Sequence, residues 1–334
     1  MSTRNLPVTI LLALLGVGMF LPLLQSGTAV GFWLEVLIGG LMAGVLYALV
    51  ALGFVLIFKA SGVFNFAQGA MVLFAALSLA RLAEVMPLWL AFVLSALIMV
   101  AFAWVVERLV LRKLVNQEGV TLLMATLGIA FFLDGFGQTL WGSEIYRIDL
   151  GISKEPMLVL QSVFQGGILV NRDDILAAVI ATLLVVLLAL FFQKTSTGRA
   201  LRAVADDHQA AQSVGIPLST IWVIVWSVAG FVALVAGMVW GSKLGVQFTL
   251  QETALRALPV VILGGFTSVP GAIIGGLIIG VGEKMAEVFF SPVLVTAFDL
   301  AGGGIENWFA YVLALLFLLV RPEGLFGERH IDRV

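Results

Sequence analysis

Cysteine is absent from the 334 residues and histidine occurs only twice. A disulfide scaffold, a thiolate zinc site and a cysteine nucleophile are thereby excluded, almost no material is left for a histidine metal cluster, and the redox compartment stays open. Charge is equally scarce. Asp, Glu, Lys and Arg make up 11% of the chain, against about 25% in soluble domains. That deficit rules out a disordered, collagen-like or nucleic-acid-coating protein, and the formal net charge of −2 adds nothing to it. What fills the space is apolar: 61% hydrophobic residues and a mean hydropathy of +1.12. A chain with so few polar side chains cannot cover a water-facing surface, so the bilayer is its solvent.

A helix needs about 20 apolar residues to cross a hydrocarbon core of roughly 30 Å. Leu6 to Leu24, Val36 to Phe58, Gly62 to Ala80, Pro87 to Val106, Val120 to Trp141 (interrupted by Asp134), Ile175 to Phe192 and Ile221 to Ser242 read as full or nearly full spans. Leu258 to Phe266 and Ala272 to Gly282 are short pieces joined by the break from Gly264 to Gly271, and Ile305 to Val320 closes the set. The expectation is one all-α polytopic helix bundle over residues 1–334, with about 8 to 10 membrane segments, eight of them complete.

Cytoplasmic loops retain Lys and Arg. With the N-terminus inside, Arg4, Lys59, the Arg108-Arg112-Lys113 cluster, Lys194-Arg199-Arg202 and Arg321-Arg329-Arg333 all fall on the cytoplasmic side, eleven of the eighteen cations. Both termini are therefore expected in the cytoplasm and the loop 142–173, with Arg147, Lys154 and Arg172, in the periplasm. Arg4 with the following apolar run and Ser26-Gly27-Thr28-Ala29 also looks like a secretory signal. The run is longer than a typical signal core, so a retained first helix is expected.

The 36 glycines are concentrated inside the spans. Gly40/Gly44, Gly237/Gly241, Gly271/Gly275 and Gly276/Gly280 each put two side-chain-free positions on one helix face, which lets backbones approach closely.

No enzyme signature emerges. There is no G-x-S-x-G elbow, no H-E-x-x-H helix and no G-x-x-x-x-G-K-[ST] phosphate loop, so the chain does not hydrolyse ATP by itself. No metal or cofactor is expected. The connection 193–219, QKTSTGRALRAVADDHQAAQSVGIPLS, is the most informative stretch. Thr197 or Ser196 can cap a helix, Ala200 to Val214 is rich in helix formers, and Gly215 followed by Pro217 stops it, giving about four turns outside the membrane. Ala200, Ala203, Val204, Ala210, Ala211 and Val214 form a shallow apolar face. Arg199, Arg202, Asp206, Asp207, His208 and Gln209 lie largely elsewhere. Such a helix suits a cleft in another protein or, with Arg199 and Arg202 snorkelling, a lipid headgroup layer; Asp206 and Asp207 weigh against an anionic surface.

In the second stretch, Lys59 to Ala70, Asn65 and Gln68 are three apart, hence on one helix face at the start of a span. Buried amides need partners, so the pair either lines a polar conduit or glues neighbouring helices, the commoner role. Asp134 sits inside a span but only seven residues from Trp141, an interface anchor, which places it near the headgroups. Glu283, Lys284 and Glu287 occupy one end of a segment, where opposite charges can pair and solvate.

The run Gly39 to Gly53 leading into Asn65-Phe66-Ala67-Gln68-Gly69 resembles the permease subunits of branched-chain amino acid ABC importers, of the LivH type. The loop Gly198-Arg199-Ala200-Leu201-Arg202-Ala203-Val204-Ala205-Asp206-Asp207, ending Ala210-Ala211 and Val214-Gly215-Ile216, resembles that family's ATPase-contacting motif. Val261 to Gly265, Pro270-Gly271-Ala272 and the exit Arg321 to Gly327 fit as well, so the similarity runs from about Leu37 to Gly327. The resemblance implies a multi-pass permease of the bacterial inner membrane. It would work with a LivM-like second permease, two cytoplasmic ABC ATPases and a periplasmic solute-binding protein to import a small-molecule substrate. It assigns ATPase coupling to Gly198, Arg199, Arg202, Ala203, Asp206, Asp207, Ala210 and Gly215, and a translocation pathway to Asn65, Phe66, Gln68 and Gly69. Gln68 stands where many relatives have His, and 142–173 is longer than expected. Related systems move urea, amides or aromatic acids, and a self-sufficient secondary transporter is the rival from another class.

Overall fold

The computed structural model describes residues 13, 16–18, 20–22, 29–62, 64–114, 117–153, 155–164, 167–206, 208–299 and 304–327. Most of the first expected span, Leu6 to Leu24, lies outside them, as do Arg4, Lys154, Asp207, Arg329 and Arg333; those residues of the span that are described are helical. The helices are α1 (Val30–Ser61), α2 (Gln68–Ala83), α3 (Leu88–Leu109, followed by a 3-10 turn at Leu111–Lys113) and α4 (Gly119–Trp141). After a two-stranded hairpin, β1 (Pro156–Val159) and β2 (Ile168–Asn171), come α5 (Arg172–Lys194), α6 (Ser196–Asp206), α7 (His208–Ser213), α8 (Leu218–Leu244) and α9 (Thr249–Leu255). The chain continues through α10 (Leu258–Gly264), α11 (Val269–Met285), a π turn (Ala286–Phe290), α12 (Ser291–Phe298) and α13 (Ile305–Val320).

Among the described residues, five helices are long and apolar enough to cross a membrane: α1, α3, α4, α5 and α8. A sixth crossing is formed if α9–α10 and α11–α12, which meet at 116°, count as one broken span, and α2 and α13 are shorter apolar helices. The protein is an all-α polytopic membrane bundle. Among the described residues the β-strands form a single antiparallel hairpin, pairing Pro156 with Asn171 through Val159 with Ile168, in the stretch read from sequence as plain loop.

The chain divides into two compact units, residues 1–48, 152–180 and 258–334 in one, and 49–151 and 181–257 in the other. In the first, α1 and α11 cross with their backbones touching. A Cβ on Gly44 would sit 2.7 Å from the Gly276 carbonyl oxygen, and one on Gly276 would sit 2.7 Å from that of Gly44. Gly40 and Gly280 meet in the same way, so both small-xxx-small pairs are used, each against the other. Closeness also lets the Tyr47 hydroxyl donate to buried Glu283 at 3.3 Å. Glu283 is thus buried rather than solvated, whereas Lys284 and Glu287 pair at 2.7 Å as their spacing suggests. The break before α11 is built by Gly265, at φ +104°, and by Ser268, whose hydroxyl accepts from the Gly271 N–H at 3.0 Å. α13 packs on α10 and α11.

In the second unit α2 is central, with every residue from Gln68 to Ala80 buried against α3, α4, α8 and α9. It is only 16 residues long because Gly62, at φ +70°, ends the preceding helix region and residues 64–67 form a turn, so the expected span from Gly62 starts six residues late. Gly237 of α8 meets α2 with a Cβ position 2.7 Å from the Val72 carbonyl.

Replacing Gly44 or Gly280 by Leu should destabilise the bundle by at least about 1–3 kcal/mol, the usual cost of overpacking, read as an earlier midpoint in SDS titration of the purified chain in mixed micelles. Gly39, which has nothing within 4 Å of its Cβ position, should tolerate the same change.

Candidate coupling site

The segment between α5 and α8 is folded tightly onto its own bundle. Thr195 links α5 to α6: its hydroxyl donates to the Phe191 carbonyl at 2.6 Å and accepts from the Gly198 N–H at 3.0 Å. It therefore caps α6, a role the sequence pattern gives to Ser196 or Thr197. Gly198 packs on the carbonyl ends of α5, where a Cβ would lie 2.7 Å from the Phe191 oxygen. Arg202 donates to the Phe192 carbonyl and Arg199 to that of Lys194 at 3.4 Å. These guanidinium groups satisfy the carbonyls that α5 leaves open at its C-terminus.

Every described residue from 200 to 213 is helical, as expected for Ala200 to Val214; α6 and α7 lie on either side of residue 207, which is outside the described residues. Gly198, Leu201 and Val204 recur every three residues and are buried, with Ala211 buried on α7. Leu201, omitted from the alanine-rich face read from sequence, anchors the segment, while Ala200 and Ala203 are half-buried. Arg199, Ala210, Gln212 and Ser213 are exposed, and Val214 is 75% exposed. Gly215, at φ +88°, stops α7 as expected, its N–H donating to the Gln212 carbonyl and that of Ile216 to the Ala211 carbonyl.

Asn65, Phe66, Gln68 and Gly69 come together at the start of α2. Asn65 is in the turn before the helix, where its side chain accepts from the Ala67 N–H at 3.1 Å, and Gln68 is the first helical residue. Both amides are 0% exposed. Asn65 Nδ2 reaches Gln68 Oε1 at 3.5 Å, and Gln68 Nε2 donates to the Ala229 carbonyl of α8 at 3.3 Å. Gly53 makes room for that amide, since a Cβ there would lie 2.6 Å from Gln68 Nε2. The Phe66 N–H donates to Thr126 Oγ1 of α4 at 3.3 Å, and its ring meets Phe64 edge-on at 4.8 Å. Gly69 abuts the Gln251 carbonyl of α9. Asp134, half-buried, accepts from Gln138 at 3.4 Å.

A pair that the sequence pattern does not single out lies beside the coupling segment. Glu107, at the end of α3, holds Arg112 through two bonds of 3.1 and 3.2 Å. Both residues line one cavity with Gln212, Leu218, Ser219 and Trp222. The Trp222 indole donates to the Ala60 carbonyl at 3.0 Å. The basic ends of α1 and α3 and the connection carrying Arg199 and Arg202 therefore share one end of this unit, as the clustering of cations requires.

Comparison with known proteins then decides the kind of molecule. Residues 36–321 match the family described as the permease component of the branched-chain amino acid transport system. The chain belongs to this family. Among curated proteins, the high-affinity branched-chain amino acid transport system permease protein LivH of Salmonella typhimurium is 27% identical, over 91% of this chain and 98% of its own length. The corresponding BraD protein of Pseudomonas aeruginosa is also 27% identical, over 90% and 98%. The probable branched-chain amino acid transport permease LivH of Methanocaldococcus jannaschii is 28% identical, over 87% and 92%. No solved structure matches the chain.

Thr195→Ala should cost about 1 kcal/mol of local stability, a typical loss for a cap, seen as faster amide exchange in residues 196–206. Thr197→Ala should leave that exchange unchanged.

Proposed function

We propose that this chain is the membrane-spanning, non-catalytic permease subunit of an ATP-driven importer of branched-chain or related amino acids in a bacterial inner membrane. The family match across residues 36–321 carries the reading. In it, both termini and the α5–α8 connection face the cytoplasm, the stretch 142–173 faces the periplasm, and two ATPase subunits hydrolyse ATP. A LivM-like permease completes the pathway and a periplasmic binding protein delivers the substrate.

The ATPases seat on the exposed side of α6 and α7, with Gly198, Arg199, Arg202, Ala203, Asp206, Asp207, Ala210 and Gly215 forming the coupling element. The geometry supports this assignment. The inner side of α6 is fixed to α5 by Thr195 and Arg202 and packs on α8, so a push on the outer side is delivered to two membrane helices. ATP-driven closure of the ATPases then exchanges periplasmic for cytoplasmic access, a switch between two packings. Asn65, Phe66, Gln68 and Gly69 belong to the pathway in the same reading, at the junction of α2 with α4, α8 and α9.

Replacing residues 198–207 with a flexible Gly/Ser stretch should leave membrane insertion intact and abolish substrate-linked ATP hydrolysis in the assembled complex, measured as phosphate release with and without liganded binding protein. Hydrolysis that stayed coupled would refute the assignment.

A further inference from the structure

The cavity beside the Glu107–Arg112 pair is used by none of the roles above. It has a volume of about 270 Å³ and is lined by Glu107, Arg112, Gln212, Leu218, Ser219 and Trp222. That is near the lower limit of about 300 Å³ for small-molecule sites, which suits a metabolite and is too small for a nucleotide or a lipid.

Its lining is chemically asymmetric. On one side stand hydrogen-bond donors without a protein acceptor among the described residues. Arg112 spends Nε and one Nη2 proton on Glu107, leaving Nη1 free, and its side chain is 55% exposed. The Gln212 and Ser219 side chains make no hydrogen bond among the described residues. Leu218 and Ser219 open a 27-residue helix whose preceding residue is Pro217, so no side chain caps its N–H groups. These groups together fit a carboxylate. On the other side is the Glu107 carboxylate, 2% exposed, each oxygen of which accepts one bond from Arg112 and has a lone pair left for an ammonium. A doubly charged anion such as phosphate is opposed by that carboxylate, whereas one negative and one positive group on the same ligand satisfy both sides. Leu218 and the buried Trp222 ring supply the remaining, apolar wall.

We propose that this cavity binds a free aliphatic α-amino acid, and that its occupancy restrains the coupling segment. The idea rests on reading the chain as an amino-acid importer subunit, because the ligand is then the imported product itself. Gln212 lies on α7 and Ser219 on the first turn of α8, so a ligand held by both ties the exposed helix pair to the end of α3. Accumulated product would slow the movement that imports more of it, a regulation by differential affinity for two conformations.

The test uses the complete importer in lipid nanodiscs, where both faces are open to solution, and L-leucine as probe. Radiolabelled L-leucine is first bound to the complex without binding protein. One saturable site per chain is expected, weakened about five-fold by Ser219→Ala, the loss of one hydrogen bond, and abolished by Ser219→Trp, which fills the cavity. ATP hydrolysis is then measured with binding protein already saturated. Free L-leucine should lower the rate in the wild type and leave it unchanged in Ser219→Trp. Leucine binding or inhibition that ignores both Ser219 variants overturns the proposal, as does the absence of any bound leucine. Capture of an ATPase subunit by a photo-crosslinker at position 219 also overturns it, since the cavity would then be a protein seat. The binding assay needs no hydrolysis. A complex that binds leucine at this site but is not stimulated by its binding protein would count against the importer reading alone.

Discussion

Helices immersed in lipid gain nothing by hiding apolar surface from water, so their association depends on how closely backbones approach and on which polar groups they satisfy. The crossing of α1 and α11 is built on that constraint. Four glycines, two on each helix, meet with no room for a methyl group at Gly44 and Gly276. Much else in that unit follows from the short separation. Tyr47 reaches across from α1 to Glu283 because the seam is only a backbone thick, and α13 packs on α10 and α11. A wider crossing would leave a buried carboxylate without that donor, at a cost that a hydrocarbon surrounding makes worse.

Polar satisfaction governs the other unit. The amide of Gln68 is wholly buried, and it is tolerable there because Asn65, Ala229 and the notch at Gly53 all accommodate it. Thr126 accepts from the Phe66 N–H and donates to a nearby carbonyl. Glu107, buried at the end of α3, is held by a guanidinium in a two-bond arrangement that suits a carboxylate. Each of these bonds contributes about 1 kcal/mol net, but leaving one partner alone would cost more than the bond is worth. Such pairs fix which helix face meets which, a choice that a surface of uniform Leu and Val does not make.

The same physics explains what could be read from the chain alone. Long apolar runs and their flanking charges are properties of composition, so the spans were legible. α13 falls on Ile305–Val320, as its apolar run marks it. Gly215 stops a helix because few other residues reach its backbone angle comfortably, and the four small-xxx-small pairs stand at close contacts. The failures have a common cause in tertiary geometry. Thr195 is an N-cap only because α6 turns back over the carbonyls of α5, while neighbouring Ser196 and Thr197 have equal local credentials. Leu201 is buried because α6 lies against the bundle, and nothing in a propensity scale separates it from a lipid-facing leucine. The hairpin at 156–171 is a short alternation too weak to register against a membrane background. Glu107 and Arg112 sit five apart around a helix end, a spacing with no standard meaning until the 3-10 turn at Leu111–Lys113 brings them together.

Under the importer reading, the layout of hydrogen bonds limits how a push can travel. α6 cannot slide along α5 without breaking the bonds at Thr195 and Arg202 and separating Gly198 from the carbonyls it packs on. α8 cannot slide along α2 without separating Gln68 from Ala229 and dragging Gly237 off its contact with Val72. Movements that preserve all of these contacts carry α6 with α5 and α8 with α2, with the strain falling on joints that are already irregular. Gly62 after α1 and Gly215 before α8 are such places, where positive φ angles interrupt the regular helical backbone. A close-packed interior resists continuous deformation and favours discrete rearrangement. The stiffness of the glycine-lined contacts therefore works in concert with the few weak joints: rigid segments keep the applied force from dissipating, and the joints set where the bundle turns.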